Sequence, residues 1–170
     1  MRRTQKYGSR SERPEFDQKI IDISRVARVV AGGRRFSFRV AIVIGNRNGQ
    51  VGVGLGKASD TSLAIEKAAR LAKKNCIKLN LTKNKSIPHE TEAKFTQAKV
   101  VIRPARPGKG LVAGSSLRTV LELGGVKDVT GKIISRSKNK LNIARASIKA
   151  LEKLNYANSS NKTENKKQEK

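Results

Sequence analysis

The sequence predicts an α+β protein of two small domains, a βββα unit followed by a βαβα unit. Three observations carry that expectation. The apolar pattern changes from period two to the helical period and back along the chain. Glycine-rich breaks fall between the segments. A polar, turn-like stretch near residues 80–90 separates the pattern into two parts, with no internal repeat of fixed period.

Residues 20–30 are β-branched and half apolar, Ala31-Gly32-Gly33-Arg34 interrupts them, and 36–44 resumes as strand, so the two read as a hairpin. Asn48-Gly49 is a type I′ turn signal. Beyond it Val51, Val53 and Leu55 alternate with Gly52, Gly54 and Gly56: a third antiparallel strand with one apolar face and one bare face. A bare face lets another backbone, protein or RNA, come close. Ser59, Asp60 and Thr61 offer N-cap oxygens to a helix running to about Leu79. Its apolar side is Ile65, Ala68, Ala69, Ala72, Cys76 and Ile77, and its outer side Lys67, Arg70, Lys73, Lys74 and Lys78. These four elements are expected to bury residues such as Phe38, Val40, Val53 and Ile65 together.

After a linker at 80–87, residues 92–103 read as a strand and 104–110 as a Gly/Pro loop. A helix over 113–123 stops at Gly124-Gly125, 126–135 is a strand, and 141–154 a helix. The expected boundaries are a flexible basic arm over 1–15, a first domain over 16–82, a second over 83–155 and a disordered tail over 156–170. The tail has hardly an apolar side chain to bury.

The chain carries 38 Lys and Arg against 13 Asp and Glu, a formal charge of +25 on 170 residues. Such an excess repels itself and collects polyanions, and counterion release from phosphates is its commonest use, so nucleic acid is the leading partner. An apolar content of 36% is enough for a core. Aromatics make up only 4%, without a stacking-platform pattern, which favours shape and backbone readout over base stacking.

Several function classes fall away. One cysteine excludes an intramolecular disulfide and a Cys-based zinc cluster, and Cys76 on the helix stripe reads as a buried structural thiol. His89, between Pro88 and Glu90, reads as a surface residue. The carboxylates are scattered and no nucleophile elbow is present, so no enzyme, metal or cofactor is expected. The run from Gly52 to Lys57 is not a Walker loop, because Val51 and Ala58 stand where that motif needs Gly and Ser or Thr, and its glycine spacing also fails the dinucleotide fingerprint. No segment has signal-peptide or membrane-span character, and Glu12, Glu15 and Asp17 are wrong for a transit peptide. A soluble cytoplasmic protein is expected.

At the hairpin tip glycine permits φ > 0 and two guanidiniums project outward, a suitable phosphate reader. Lys57 at the strand-to-helix junction can meet a phosphate. The loop with Arg103, Arg106 and Lys109 precedes a helix whose N-terminus can hold one. Residues 97–140 carry ten Lys or Arg against Glu122 and Asp128, so both domains face polyanion. The candidate RNA-binding residues are Arg25, Arg28, Gly32, Gly33, Arg34, Arg35, Lys57, Lys67, Arg70 and Lys74 in the first domain, and Arg103, Arg106, Lys109 and Arg136 in the second.

Three ordered blocks, VARVVAGGRRFSFRVAIVIGNRNGQVGVGLGKASDTSLAIEKA, VVIRPARPGKGLVAGSSLRTVLELGGVKDV and SKNKLNIARA, resemble the family of small-subunit ribosomal protein five, bacterial type, over about residues 17–155. The resemblance implies a first module similar to a double-stranded-RNA-binding domain without its leading helix. It implies a second domain of the βαβα fold named after this family and shared with certain small-molecule kinases. It further implies a structural, rRNA-binding constituent of the small subunit near the mRNA entry channel, supporting assembly and translational accuracy. The implied partners are 16S rRNA and the neighbouring ribosomal proteins four and eight, with no membrane and no homo-oligomer; an organellar ribosome is the other possible setting. The first-hairpin loop of the family lies near the spectinomycin site, which carries over to Ala31, Gly32, Gly33 and Arg34. Two departures stand out. Ala31 replaces the usual Lys before the paired glycines, and Asn139-Lys140-Leu141-Asn142 replaces Asn-Pro-x-Asn, exchanging a rigid turn for an added charge. Competing readings are a free double-stranded-RNA regulator and a nucleotide-binding kinase relative; co-sedimentation with small subunits and nucleotide binding, respectively, separate them.

Overall fold

A computed structural model describes residues 15–82 and 84–168, with side chains through 154. The arm expected over 1–15 lies, apart from Glu15, outside the described residues. The chain forms β1 (Asp17–Val30), β2 (Gly33–Gly45), β3 (Gln50–Ala58), α1 (Thr61–Lys74) and β4 (Ile77–Lys78), then β5 (Thr91–Phe95), β6 (Ala98–Pro104), β7 (Leu111–Val112), α2 (Ser115–Leu123), β8 (Val129–Ile133) and α3 (Lys140–Gln168). The first sheet has the order β1-β2-β3-β4 and the second β5-β6-β8-β7, antiparallel throughout except for the parallel pair β7–β8. This is the expected two-domain α+β architecture.

Strand β2 explains how the domains cohere, because it is buried on both faces. Val40, Ile42 and Ile44 face α1 and pack on Ala64, Ala68 and Ala72. Ala41 and Val43 face the other way, joining Val51 and Val53 to a core that continues through Val100, Leu117 and Leu121 to Leu151 and Leu154. Burying a Val, Ile or Leu side chain stabilises by about 1.5–3 kcal/mol, so this shared core is the main force holding the units together. The expected grouping of Phe38, Val40, Val53 and Ile65 is thereby corrected. Phe38, Val40 and Ile65 sit with α1, whereas Val53 lies in the opposite core.

The bare face of β3 is occupied by the protein's own helix. A Cβ on Gly52, Gly54 or Gly56 would overlap the backbone carbonyls of Ala72, Ala68 and Ala64, respectively. Glycine on the strand and alanine on the helix thus bring two backbones together. Asp60 caps α1 through its side chain, accepting from the Ser62 N–H at 3.3 Å.

Other elements depart from the sequence reading. Helix α1 stops at Lys74, not near Leu79: Asn75 is the C-cap, its N–H bonding the Leu71 carbonyl, and the β-branched Ile77 pairs with Val51 instead. Cys76 therefore lies past the helix, half-buried rather than buried. Residues 92–103 are a hairpin and not one strand. Thr96, at φ 50°, turns the chain so that Phe95 pairs with Ala98. The signal was a change of phase, since Thr91 and Ala93 are buried on one side of the turn and Ala98, Val100 and Ile102 on the other. Helix α3 is drawn to Gln168, whereas the tail was expected to be disordered from 156. Residues 157–168 contain no Pro or Gly, and their Glu, Lys and Gln are good helix formers, so nothing in the sequence stops the helix there.

The segment between the domains is pinned by backbone bonds. The β2–β3 turn docks on the end of α2: Arg47 N–H donates to the Leu123 carbonyl at 2.9 Å and Gly49 N–H to Gly124 at 3.1 Å, while Leu79 N–H returns to Gly49 at 2.7 Å. Gly125, at φ 78°, leaves no room for a Cβ beside the Arg47 carbonyl.

Two expectations follow. Gly54→Ala should lower stability by about 1–3 kcal/mol or more through overpacking, while Gly32→Ala, whose added Cβ meets nothing, should cost a few tenths at most; urea titrations compare them. Removing residues 157–170 should leave the melting curve of the remainder superimposable on that of the full chain, since the segment has almost no apolar area to bury.

Candidate nucleic-acid interface

The β1–β2 hairpin projects beyond the core, and its tip is built by Ala31 and Gly32 with Gly33 at φ 123°. No heavy atom lies within 4 Å of a Cβ placed on Gly33, so its constraint is conformational rather than steric. The register sets Val29 opposite Arg34, Arg28 opposite Arg35 and Arg25 opposite Phe38. Alternation then divides the cations between two faces. Arg25 and Arg34 share the α1 side with Phe36, and the Arg25 guanidinium lies 3.7 Å from the centre of the Phe36 ring. Arg28 and Arg35 sit directly across from each other on the opposite side, with Arg39 farther down the same face. Like charges directly opposite destabilise a strand pair, so this arrangement stores repulsion that an anion relieves.

All fourteen sequence-derived candidates are exposed, from Arg25 to Arg136. Besides Arg25 on its ring, two of them hold carboxylate partners within the chain: Arg70 pairs with Glu66 at 3.4 Å and Arg103 with Glu90 at 2.7 Å. Exposed pairs of this kind contribute about 0–1 kcal/mol, little enough for a phosphate to compete. Among the described residues, Arg28, Arg34, Arg35, Lys57, Lys67, Lys74, Arg106, Lys109 and Arg136 form no ion pair. Lys57 lies at the end of β3, but the glycine face behind it belongs to α1, so close approach of RNA there is excluded.

In the second domain the basic loop is held by one carboxylate. Asp128 Oδ1 accepts from the Gly110 N–H at 2.8 Å, and its backbone carbonyl accepts from Ala105 N–H at 3.2 Å. Gly108 and Gly110, at φ 85° and 70°, allow the loop to curl so that Arg106 and Lys109 stand out from it. The start of α2 is open: its N-cap is Gly114, with no side-chain cap. A cleft of about 860 Å³ separates this loop from the β2–β3 turn and draws in Arg47, Lys85, Arg118 and Lys127. Sequence reasoning missed these four because tertiary packing alone brings them together. Phe36 was missed too, although an aromatic beside paired basic strands was the available signal.

His89 is half-buried and makes no contact that gives it a role. Burial pushes the Cys76 thiol up from its ordinary range, which favours the protonated form. Among the described residues no cluster of three His, Cys, Asp or Glu could hold a metal, and no helix is long and apolar enough to cross a membrane.

Comparison with known proteins matches both halves of the chain. Residues 16–80 match the family described as ribosomal protein S5, N-terminal domain, and residues 93–164 match ribosomal protein S5, C-terminal domain. The chain is 49% identical to the small ribosomal subunit protein uS5 of Synechocystis sp. over 145 residues, covering 85% of this chain and 83% of the relative. It is 45% identical to uS5 of Nostoc punctiforme over 90% of this chain and 87% of the relative. It is 44% identical to the small ribosomal subunit protein uS5c of Emiliania huxleyi over 89% and 95%, respectively.

The tip geometry separates fold from contact. Gly33→Val should cost about 1–3 kcal/mol, because a β-branched residue is strained at a positive φ. Arg34→Ala, exposed and unpaired, should leave the unfolding midpoint unchanged; parallel denaturant titrations would show whether the two variants divide in this way.

Proposed function

The chain belongs to the ribosomal protein S5 family, a structural and non-enzymatic family of the small ribosomal subunit, and from that membership we propose that it works by placement. Its basic side chains neutralise rRNA phosphates where RNA segments converge, and its two domains, joined by one core, fix the relative orientation of what they bind. The observation that carries this reading is the set of guanidiniums on a projecting hairpin, Arg28, Arg34 and Arg35, for which no carboxylate partner stands among the described residues. A planar, always-charged guanidinium matches phosphate oxygens bidentately.

The finer parts of the reading follow from the resemblance. The sites are the fourteen candidate residues, and the two folded domains those expected from the sequence, over 16–82 and 83–155. The rRNA is 16S; the neighbours are ribosomal proteins four and eight; mRNA passes nearby at the entry channel; and the contribution is to subunit assembly and decoding accuracy. The tip at Gly32 and Gly33 lies near the spectinomycin site. The compartment is the cytoplasm of a bacterial-type cell or an organelle with such ribosomes, to which the relatives named uS5c point.

Two measurements test this. In a cell extract the protein should travel with small subunits and stay with them through a moderate salt wash; recovery in the free protein fraction would instead favour an independent RNA regulator. Binding of the purified protein to 16S rRNA should weaken log-linearly with salt, with a slope of about −0.7 to −0.9 per phosphate, and several contacts should make it steep. Arg34→Ala should weaken that binding by about 1–3 kcal/mol and alter inhibition of translation by spectinomycin. Unchanged inhibition in subunits that contain the variant would remove the tip from the drug site.

A further inference from the structure

The face of the hairpin opposite α1 does not end at Arg28 and Arg35. Following the register down the same side, Ser24 pairs with Arg39 and Asp22 with Ala41. There the sheet meets the start of α3, and a cleft of about 220 Å³ opens between Ser24 and Arg39 on the first domain and Lys138 and Lys140 on the second. Lys140 Nζ reaches Asp22 at 3.2 Å across this cleft, a bond between domains that spends the only carboxylate lining it. Arg39 and Lys138 are exposed and have no ion pair among the described residues. The Leu141 and Asn142 N–H groups at the start of α3 are already taken, donating to Asn139 Oδ1 at 3.1 Å and 3.3 Å, so the chief anion-attracting groups here are the two side chains.

Resting on the rRNA-binding reading, we propose that Arg39 and Lys138 form an interdomain clamp for one RNA phosphodiester. Arg28 and Arg35 hold the same strand farther toward the tip. Arg35 and Arg39 are four residues apart on one strand, about 13 Å, so the track suits separate phosphates along one nucleic-acid backbone and not a single small anion. The clamp takes one cation from each domain. Binding there couples RNA to the relative placement of the domains, a role that neither the tip nor the basic loop of the second domain can fill alone. Neither residue is evident as a site in the sequence, because they are far apart in the chain and each sits among other basic residues.

The test uses the full-length protein, 16S rRNA transcript as the probe, and the variants R39A, K138A and R39A/K138A, with K94A as an exposed lysine control on β5 away from the cleft. Melting curves establish that each variant folds. The expected result is a several-fold loss of affinity for each single variant. The double variant should lose less than the product of the two single losses, because both side chains grip one phosphate. Its salt slope should be shallower by about 0.7–0.9, the value for one phosphate, and K94A should bind as the wild type does. An unchanged double variant on a steep wild-type slope overturns the clamp and leaves the rRNA reading intact. Losses that simply multiply, with a slope change of two phosphates, also overturn it by showing two separate contacts. A wild-type slope near zero would instead bring down the rRNA reading itself.

Discussion

The rest of the structure depends on the contact of two backbones, α1 lying on β3 across Gly52, Gly54 and Gly56. Interior packing is as dense as in organic crystals, and where side chains are absent from the strand the helix itself fills the space. This leaves α1 close to the sheet, with Ala64, Ala68 and Ala72 as the buried residues beneath it. The close approach has a consequence for β2. Its Val40, Ile42 and Ile44 are covered on that side, so the neighbouring Ala41 and Val43 are free to serve a second core on the other. Loss of the close approach would therefore disturb both domains through one strand.

Electrostatics act against this compactness. A chain with a formal charge of +25 is destabilised by its own repulsion, and its ion pairs, all at exposed side chains, return little of that cost. The apolar core has to hold the fold, and the charge has to be answered from outside. The directly opposed Arg28 and Arg35 show the principle at the scale of one strand rung. Such a pair is unfavourable in the isolated protein and becomes favourable wherever a phosphate lies between or across the two guanidiniums.

Much of this was legible in the sequence, and the gaps have physical causes. The first hairpin, the Asp60 cap and the alternation of β3 were all readable, because local backbone preferences and burial agree there. The type I′ turn expected at Asn48-Gly49 is instead a longer loop over 46–49, with Arg47, at φ 55°, and Gly49, at φ 89°, as its left-handed residues. The hairpin at Thr96 was not readable as such. No glycine marks the turn, and an uninterrupted apolar alternation hides a change of phase unless it is counted. The end of α1 was misread because Cys76 and Ile77 keep helical spacing although Ile77 pairs with Val51 in an edge strand. For the site, charge identified the surface but not its geometry. The paired state of Arg70 and Arg103, the ring under Arg25 and the meeting of Arg39 with Lys138 all depend on which residues become neighbours after folding.

Projection of the hairpin is what ties fold to function. Strands β1 and β2 run on past the region where β3 covers them, since β3 pairs with β2 only from Phe38 to Gly45. Beyond that point the two strands have no third partner, and an isolated hairpin is marginally stable in water. Here it begins inside a doubly buried β2, so its base is fixed by the core while its tip carries Gly33 and the arginines into solvent. Val29, 76% exposed, and Phe36, 46% exposed, are apolar groups that the chain leaves uncovered along this extension. A surface that leaves both apolar groups and unpaired guanidiniums in water is poorly suited to the free state and well suited to contact with a large polyanion, whose sugars and phosphates can cover the one and neutralise the other.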